Sequence, residues 1–342
     1  AVGNIFGKAD EFPFHIFFPG QFSYTYPGER NTYLFGTHII SGFLGTLRVE
    51  GSNLPPGVED VEIFLRGTNG IYSWHVGLAR EISPELSLGA LFQVVSKYQE
   101  IIERRERIKS ADGGTELLER KKRFFERGLG PGLTLGALYK INPRWQLGLV
   151  AKSPVKLYGR SRFELSSLDT EAADQVTEST KSRHYDEVLP PLLGIGLSYR
   201  PSENLLFSAS ANRIFWDIFE VNGREQHFQD ISQLHFGMEY GLRGPGGIPL
   251  PIRLGFYTDP SPAKGPFKTA LAGTLERKTK VKPEGDLIYF TAGTGLRLGR
   301  FTLDIAAQYG FGSDKVQNQI TGEVRDIRER IFSVILTATY YF

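Results

Sequence analysis

The sequence predicts an all-β chain folded as a transmembrane antiparallel up-and-down β-barrel, and three observations carry that expectation. Apolar residues recur at spacing two through segments of about ten residues, with polar or small residues between them. The connections between these segments alternate between tight Pro/Gly/Asn turns and long polar loops, as the two rims of a membrane barrel do. The longest unbroken apolar run, Val188 to Leu197, is ten residues with two prolines, whereas a membrane helix needs about 20.

The elements follow in order. A first strand near 14–26 ends at the turn Pro27-Gly28-Glu29-Arg30-Asn31, and a second runs from 32 to 46. In 61–80, Tyr72, Trp74, Val76 and Leu78 alternate with Ser73, His75 and Gly77, and in 86–103, Leu86, Leu88, Ala90, Phe92 and Val94 alternate with Ser87, Gly89 and Gln93. Strands 119–140 and 145–163 flank Asn142-Pro143-Arg144, and 184–199 and 205–219 flank Pro201-Ser202-Glu203-Asn204. Strand 228–242 carries Leu234, Phe236, Met238 and Tyr240, and strand 249–258 carries Ile252, Leu254 and Phe256, with Gly244-Pro245-Gly246-Gly247 between them. Strands 286–298 and 301–313 meet at Gly299-Arg300, and 328–342 closes the chain with Phe332, Val334, Leu336, Ala338, Tyr340 and Phe342 on one face.

These are thirteen strands, whereas single-chain bacterial barrels have an even number. The reading is one barrel domain over 1–342 that lacks one strand, with residues 1–12 as the remnant of an extracellular loop. Alternatively 61–80 is two strands joined at Gly67-Thr68-Asn69-Gly70. The chain begins with neither Met nor a signal peptide.

Lys+Arg 40 against Asp+Glu 38 leaves a net charge of +2 on 342 residues, which gives no electrostatic footprint for nucleic acid. With no Cys there is no disulfide framework and no thiol chemistry. Mean hydropathy is −0.23 although Gly and aromatic residues abound. A strand that shows lipid only every second residue explains this, with aromatics at the interfaces and Gly on the lumen wall.

Several stretches resemble the long-chain fatty acid transporter (FadL/TodX-type) family of outer-membrane proteins. They are Phe22-Ser23-Tyr24-Thr25-Tyr26-Pro27 with Tyr33-Leu34-Phe35-Gly36, Gly132-Leu133-Thr134-Leu135-Gly136-Ala137-Leu138-Tyr139 with Asn142-Pro143-Arg144-Trp145 and Ser153-Pro154, Leu189-Pro190-Pro191 to Tyr199-Arg200-Pro201 with Trp216, and Pro251-Ile252-Arg253-Leu254-Gly255-Phe256 to Pro260-Ser261-Pro262. The resemblance implies an even total of about fourteen strands and a lumen plugged by an N-terminal hatch with an Asn-Pro-Ala type motif. That motif is absent here, which agrees with a chain short of its hatch and first strand. It further implies passive transport of hydrophobic small molecules such as long-chain fatty acids or aromatic hydrocarbons across the bacterial outer membrane, with no cofactor. Lateral release would occur at a kink in the strand that here carries Gly36, Gly42 and Gly45. A non-transporting scaffold or secretion partner, and a general porin for polar solutes, are the competing readings.

If the apolar set faces lipid, the lumen set includes His38, His75, Gln93, Lys152, His235, Glu239, Arg253, Arg297 and Asp304. These either satisfy one another or contact a ligand head group, and Arg253 and Arg297 suit a carboxylate. Phe14, Phe17, Phe18, Leu44, Phe215, Trp216 and Phe219 either line a shallow apolar site or form the outer aromatic girdle. The runs Glu103 to Arg107 and Glu119 to Arg123 are expected to face one another as strand extensions with cross-strand charge pairs, within reach of lipopolysaccharide phosphates. Phe342 is expected to engage the barrel assembly machinery. No hydrolase elbow, zinc-protease helix or P-loop occurs, so no enzyme is expected. His184 with Asp186, and His227 with Asp230, are close in sequence only, and Gly293-Thr294-Gly295 sits on an alternating strand.

Overall fold

The computed structural model describes residues 21–50, 58–111, 114–169, 175–225, 228–243, 249–262, 267–268, 279–281, 286–318 and 324–341. Its strands form one sheet, antiparallel throughout. They are β1 (Gln21–Pro27), β2 (Asn31–Glu50), β3 (Val58–Glu81), β4 (Leu86–Ala111), β5 (Gly114–Asn142), β6 (Trp145–Lys152), β7 (Val155–Asp169), β8 (Gln175–Leu189), β9 (Leu192–Ser202), β10 (Leu205–Ile214), β11 (Glu220–Val221), β12 (Arg224–Glu225), β13 (Ile231–Arg243), β14 (Pro249–Asp259), β15 (Phe267–Lys268), β16 (Thr279–Val281), β17 (Leu287–Leu298), β18 (Phe301–Asn318) and β19 (Val324–Tyr340). β6 and β7 are one pass broken at Ser153-Pro154, since β5 pairs with both. β8 and β9 are one pass broken at Pro190-Pro191, since β7 pairs with the first half and β6 with the second. Setting aside the two- and three-residue strands β11, β12, β15 and β16, thirteen passes are described, in the places the alternation marks out.

β3 runs unbroken through Gly67-Thr68-Asn69-Gly70 and pairs on both sides there, which overturns the alternative of a turn at that point. Of the long polar connections, 104–111 and 114–119 are strand, while 51–57 lie outside the described residues. β4 and β5 extend as a hairpin to Ala111↔Gly114. Within that hairpin Glu103 faces Lys122 at 3.7 Å. The expected charge pairing holds at the base of the extension; farther out the backbone register sets Arg105 opposite Arg120 and Glu106 opposite Glu119, and the side chains of 104–120 lie outside the described ones. Two tight turns need a left-handed backbone: Asn222-Gly223, at φ 53° and 69°, joins β11 to β12, and Gly299, at φ 61°, joins β17 to β18.

The phase is clearest on β3. Tyr72, Trp74, Val76 and Leu78 are 38 to 53% exposed, whereas Ser73 is 0% and His75 7% exposed between them. The buried phase is the concave one, because Lys97 on β4 reaches Tyr185 and Glu187 on β8 across two intervening strands. Such convergence requires the side chains to point inward. Apolar residues therefore cover the convex face as a lipid-facing belt, and polar ones line the lumen. Among the described residues β1 and β19 are the sheet's two edges, with no pairing joining them.

Candidate functional site

Toward the tight-turn rim the lumen wall is polar and largely self-satisfied. Gln93 donates to Thr134 Oγ1 at 2.9 Å and Asn212 lies 3.4 Å from His235 Nε2, whereas His75, its ring centroid 5.3 Å from that of His38, keeps Nδ1 buried without a partner. Tyr257 stacks between His235 and Tyr289 and donates to Gln308 at 3.2 Å. Arg253 on β14 is held by Glu239 at 2.7 Å and by Asp304 at 2.6 Å. Asp304 reaches it across β17 because Gly295 opposite leaves no Cβ in the way. The guanidinium expected to meet a ligand carboxylate is thus already matched by two carboxylates of its own chain. Arg297 lies four residues nearer the turn, against the Tyr341 ring at 5.1 Å, and donates weakly to the Gly299 carbonyl.

Higher in the lumen, the lining changes character. Val95, Val155 and Leu157 form a buried apolar cluster with Ile71 and Leu189 against it. Above it, Lys97 lies 2.6 Å from Tyr185 Oη and 3.6 Å from Glu126, and is bonded to Glu187, which also accepts from Tyr185. One ammonium and two carboxylates are almost dry here, at 9, 10 and 5% side-chain exposure. The wall turns sharply at this corner. A Cβ on Gly159 would meet the Arg127 carbonyl and Gly128 Cα, and one on Gly130 would meet the Lys156 carbonyl, so only glycine permits the approach.

At the same level several neighbouring passes lose their ladders. Pro131 in β5, Ser153-Pro154, Pro190-Pro191 and a one-turn 3-10 segment, Trp216–Ile218, stand side by side, because β5 pairs with β6 below and β7 above, and β10 resumes as β11 beside β8. Pro cannot donate to a ladder, so each break falls where the sequence carries one or where its partner does.

The 3-10 segment builds an aromatic cluster at the long-loop rim. Trp216 meets Phe219 at 5.4 Å and Phe228 at 5.6 Å, both edge to face, and Phe219 meets Phe228 at 5.1 Å. Phe215 precedes it, donating its backbone N–H to the Pro191 carbonyl at 3.1 Å. The Trp216 indole N–H is buried without a hydrogen-bond partner. Asp230 ties the segment down, accepting from the Asp217 backbone at 3.2 Å and from Arg213 at 3.1 Å. Partial burial opposes its ionisation, but these donors outweigh it and hold the carboxyl below its usual range.

The structure thus brings Phe215, Trp216 and Phe219 together and adds Phe228, which sequence reasoning passed over because it follows a polar loop. Gly36 is packed tightly on both sides: a Cβ there would lie 2.6 Å from the Phe22 carbonyl and 2.8 Å from His75 Nε2. The β2–β3 ladder continues past Gly42 and Gly45, paired with Gly70 and Gly67, with a single bulge at Ile40, and among the described residues β1 is paired with β2 up to Gln21↔His38. Asp186 ion-pairs with Lys156 at 3.6 Å, and His184 stands opposite Arg160. Residues 1–12, Phe14, Phe17, Phe18, His227 and Phe342 lie outside the described residues, as does the Leu44 side chain. Among the described residues no cluster of metal-ligating side chains occurs.

An apolar convex belt around a polar, ion-paired interior defines a membrane-spanning β-barrel. No family model matches the sequence, and no curated protein does. Among solved structures the chain is similar to the Pseudomonas putida toluene transporter TodX, with a TM-score of 0.62 at 15% identity over 94% of this chain and 82% of that one. It is similar also to a Pseudomonas aeruginosa FadL homologue, at 0.58 and 17% over 94% and 77%, and to the monoaromatic hydrocarbon channel CymD, at 0.57 and 14% over 94% and 82%. At such identities the likeness is one of fold, and the fold is that of these channels.

Proposed function

We propose that the protein is a passive outer-membrane channel for hydrophobic small molecules, of the size of a long-chain fatty acid or an aromatic hydrocarbon. The observation that carries this reading is the shared fold with channels described as toluene transporters and a monoaromatic hydrocarbon channel. The aromatic cluster of Phe215, Trp216, Phe219 and Phe228 supports it, since an apolar solute arriving at the long-loop rim meets aromatic rings. Partition down a gradient drives the passage, and no cofactor or catalytic step is involved. Lateral release past Gly36, Gly42 and Gly45 belongs to the same proposal, and so does ligand contact at Arg297.

Uptake by proteoliposomes of a labelled fatty acid and of toluene, against a sugar of similar mass, tests the reading. The expected result is uptake of the apolar probes only. Sugar flux would establish a porin instead, and the absence of all flux would establish a scaffold.

A further inference from the structure

The convex face carries a depression of about 940 Å³ whose walls are Leu78, Leu88, Leu135, Leu149, Leu193 and Ile195. All six are between 44 and 52% exposed and belong to the lipid-facing phase. The lumen-phase positions that also line it are Gly89, Gly136 and Gly194 with Val150 and Asn212; they alternate with the outward rows and form the wall between them, so the depression opens on the face those rows occupy, toward the bilayer. Small side chains, Ala90, Ala137, Ala151 and Ala211, lie between the large ones and set its depth.

Its two ends are both arginine, and they are not equivalent. Arg213, one residue before the end of β10 at the long-loop rim, is neutralised by Asp230 at 3.1 Å and also donates to Ser232 at 3.2 Å. Arg80, one residue before the end of β3 at the tight-turn rim, stands opposite the uncharged Asn31 and Leu88. Among the described residues it has no carboxylate within ion-pair distance. A guanidinium at a membrane interface with no described carboxylate in ion-pair reach, at the mouth of an apolar trough, is complementary to an amphiphile with an anionic head and a hydrocarbon tail. Tight turns mark the periplasmic rim of such barrels, so the head group lies in the periplasmic leaflet.

We infer that this depression is a specific site for one anionic phospholipid of the periplasmic leaflet, its phosphate on Arg80 and an acyl chain lying in the Leu/Ala trough toward Arg213. The site lies outside the channel, and its occupancy does not depend on what the lumen carries.

Native mass spectrometry of the full chain, titrated in detergent with phosphatidylglycerol or with phosphatidylcholine of the same chains, tests this. One tightly retained phosphatidylglycerol per chain is expected. Arg80→Gln should weaken its retention roughly tenfold, the loss of one charge-assisted contact, while Arg213→Gln leaves it unchanged. Ala137→Trp, which fills the trough without touching a charge, should abolish retention of both lipids. Heat-modified gel mobility verifies that each variant is folded, and Ala137→Leu replaces Ala137→Trp if the latter does not fold. Equal retention of the two lipids, or retention untouched by filling the trough, would overturn the inference. So would sensitivity to Arg213→Gln in place of Arg80→Gln.

Discussion

Replacing Lys97 by Met removes the one cation from the nearly dry cluster above the apolar collar while keeping the length of the side chain. In the native protein this ammonium faces Tyr185 at 2.6 Å, Glu126 at 3.6 Å and the bonded Glu187, with side-chain exposures of 9, 10 and 5% for the three charged groups. Screening by water is therefore slight, and Lys97→Met leaves two carboxylates together without compensation. Breaking a buried pair on one side costs about 3–5 kcal/mol, so the variant should lose roughly that much of its unfolding free energy. Glu187→Gln alone keeps the Lys97–Glu126 pair and should cost less, about 1–3 kcal/mol. Lys97→Met/Glu187→Gln should be more stable than the sum of the single losses, by an amount on the order of 1–2 kcal/mol, because removing one carboxylate relieves the repulsion that the first change creates. Urea titration in detergent micelles, followed by tryptophan fluorescence and by gel mobility, measures all four corners of the cycle. A loss below about 1 kcal/mol for Lys97→Met, or strict additivity, would refute the reasoning, since either means that the cluster is wet.

Other expectations are independent of that cycle. Trp216→Ala removes two edge-to-face contacts of about 0.5–1.5 kcal/mol each and should slow toluene uptake in proteoliposomes more than Phe332→Ala, which changes only the lipid belt. Gly159→Ala drives a methyl group into the backbone of Arg127 and Gly128 and should destabilise the barrel by about 1–3 kcal/mol, whereas Gly136→Ala, with a single neighbour at 3.8 Å, should be close to neutral in the same urea titration. The Asp230 carboxyl is held below its usual 3.8, so its stabilisation of the rim is fully present above that value and is lost as pH falls through the lower folded value. Amide hydrogen exchange at Asp217 should accelerate there, and Asp230→Asn should remove the pH dependence.

The strands and their phase were legible because a period of two needs only neighbouring residues. The wall at Tyr72 to Leu78 alternates in the structure as it does in the text of the chain. The breaks were half legible: each proline is visible, but their alignment at one level follows from register, which couples residues 60 apart. The facing extensions Glu103 to Arg107 and Glu119 to Arg123 were legible as strand from their matched charge runs, but polarity alone gave no end point, and the ladder runs on to Ala111↔Gly114. The Lys97, Glu126, Tyr185 and Glu187 cluster was missed, although Lys97 continues the inward series of Gln93 and Val95. That phase was the available signal, and pairing β4 with β8 across a folded corner was what no local pattern supplies. Arg253 was placed in the lumen correctly, yet its two carboxylate partners lie on other passes.

The length of the β4–β5 hairpin bears on where the protein meets its surroundings. With 26 and 29 residues, its arms run about 85–95 Å at ~3.3 Å per residue. Tilted by roughly 40°, they rise on the order of 65–75 Å, against an apolar band only about 25 Å tall. Most of the hairpin is therefore a mast standing clear of the lipid. Among the described strands these two arms are the longest, so the barrel wall is lopsided, far taller on this side than at β10 with its 10 residues.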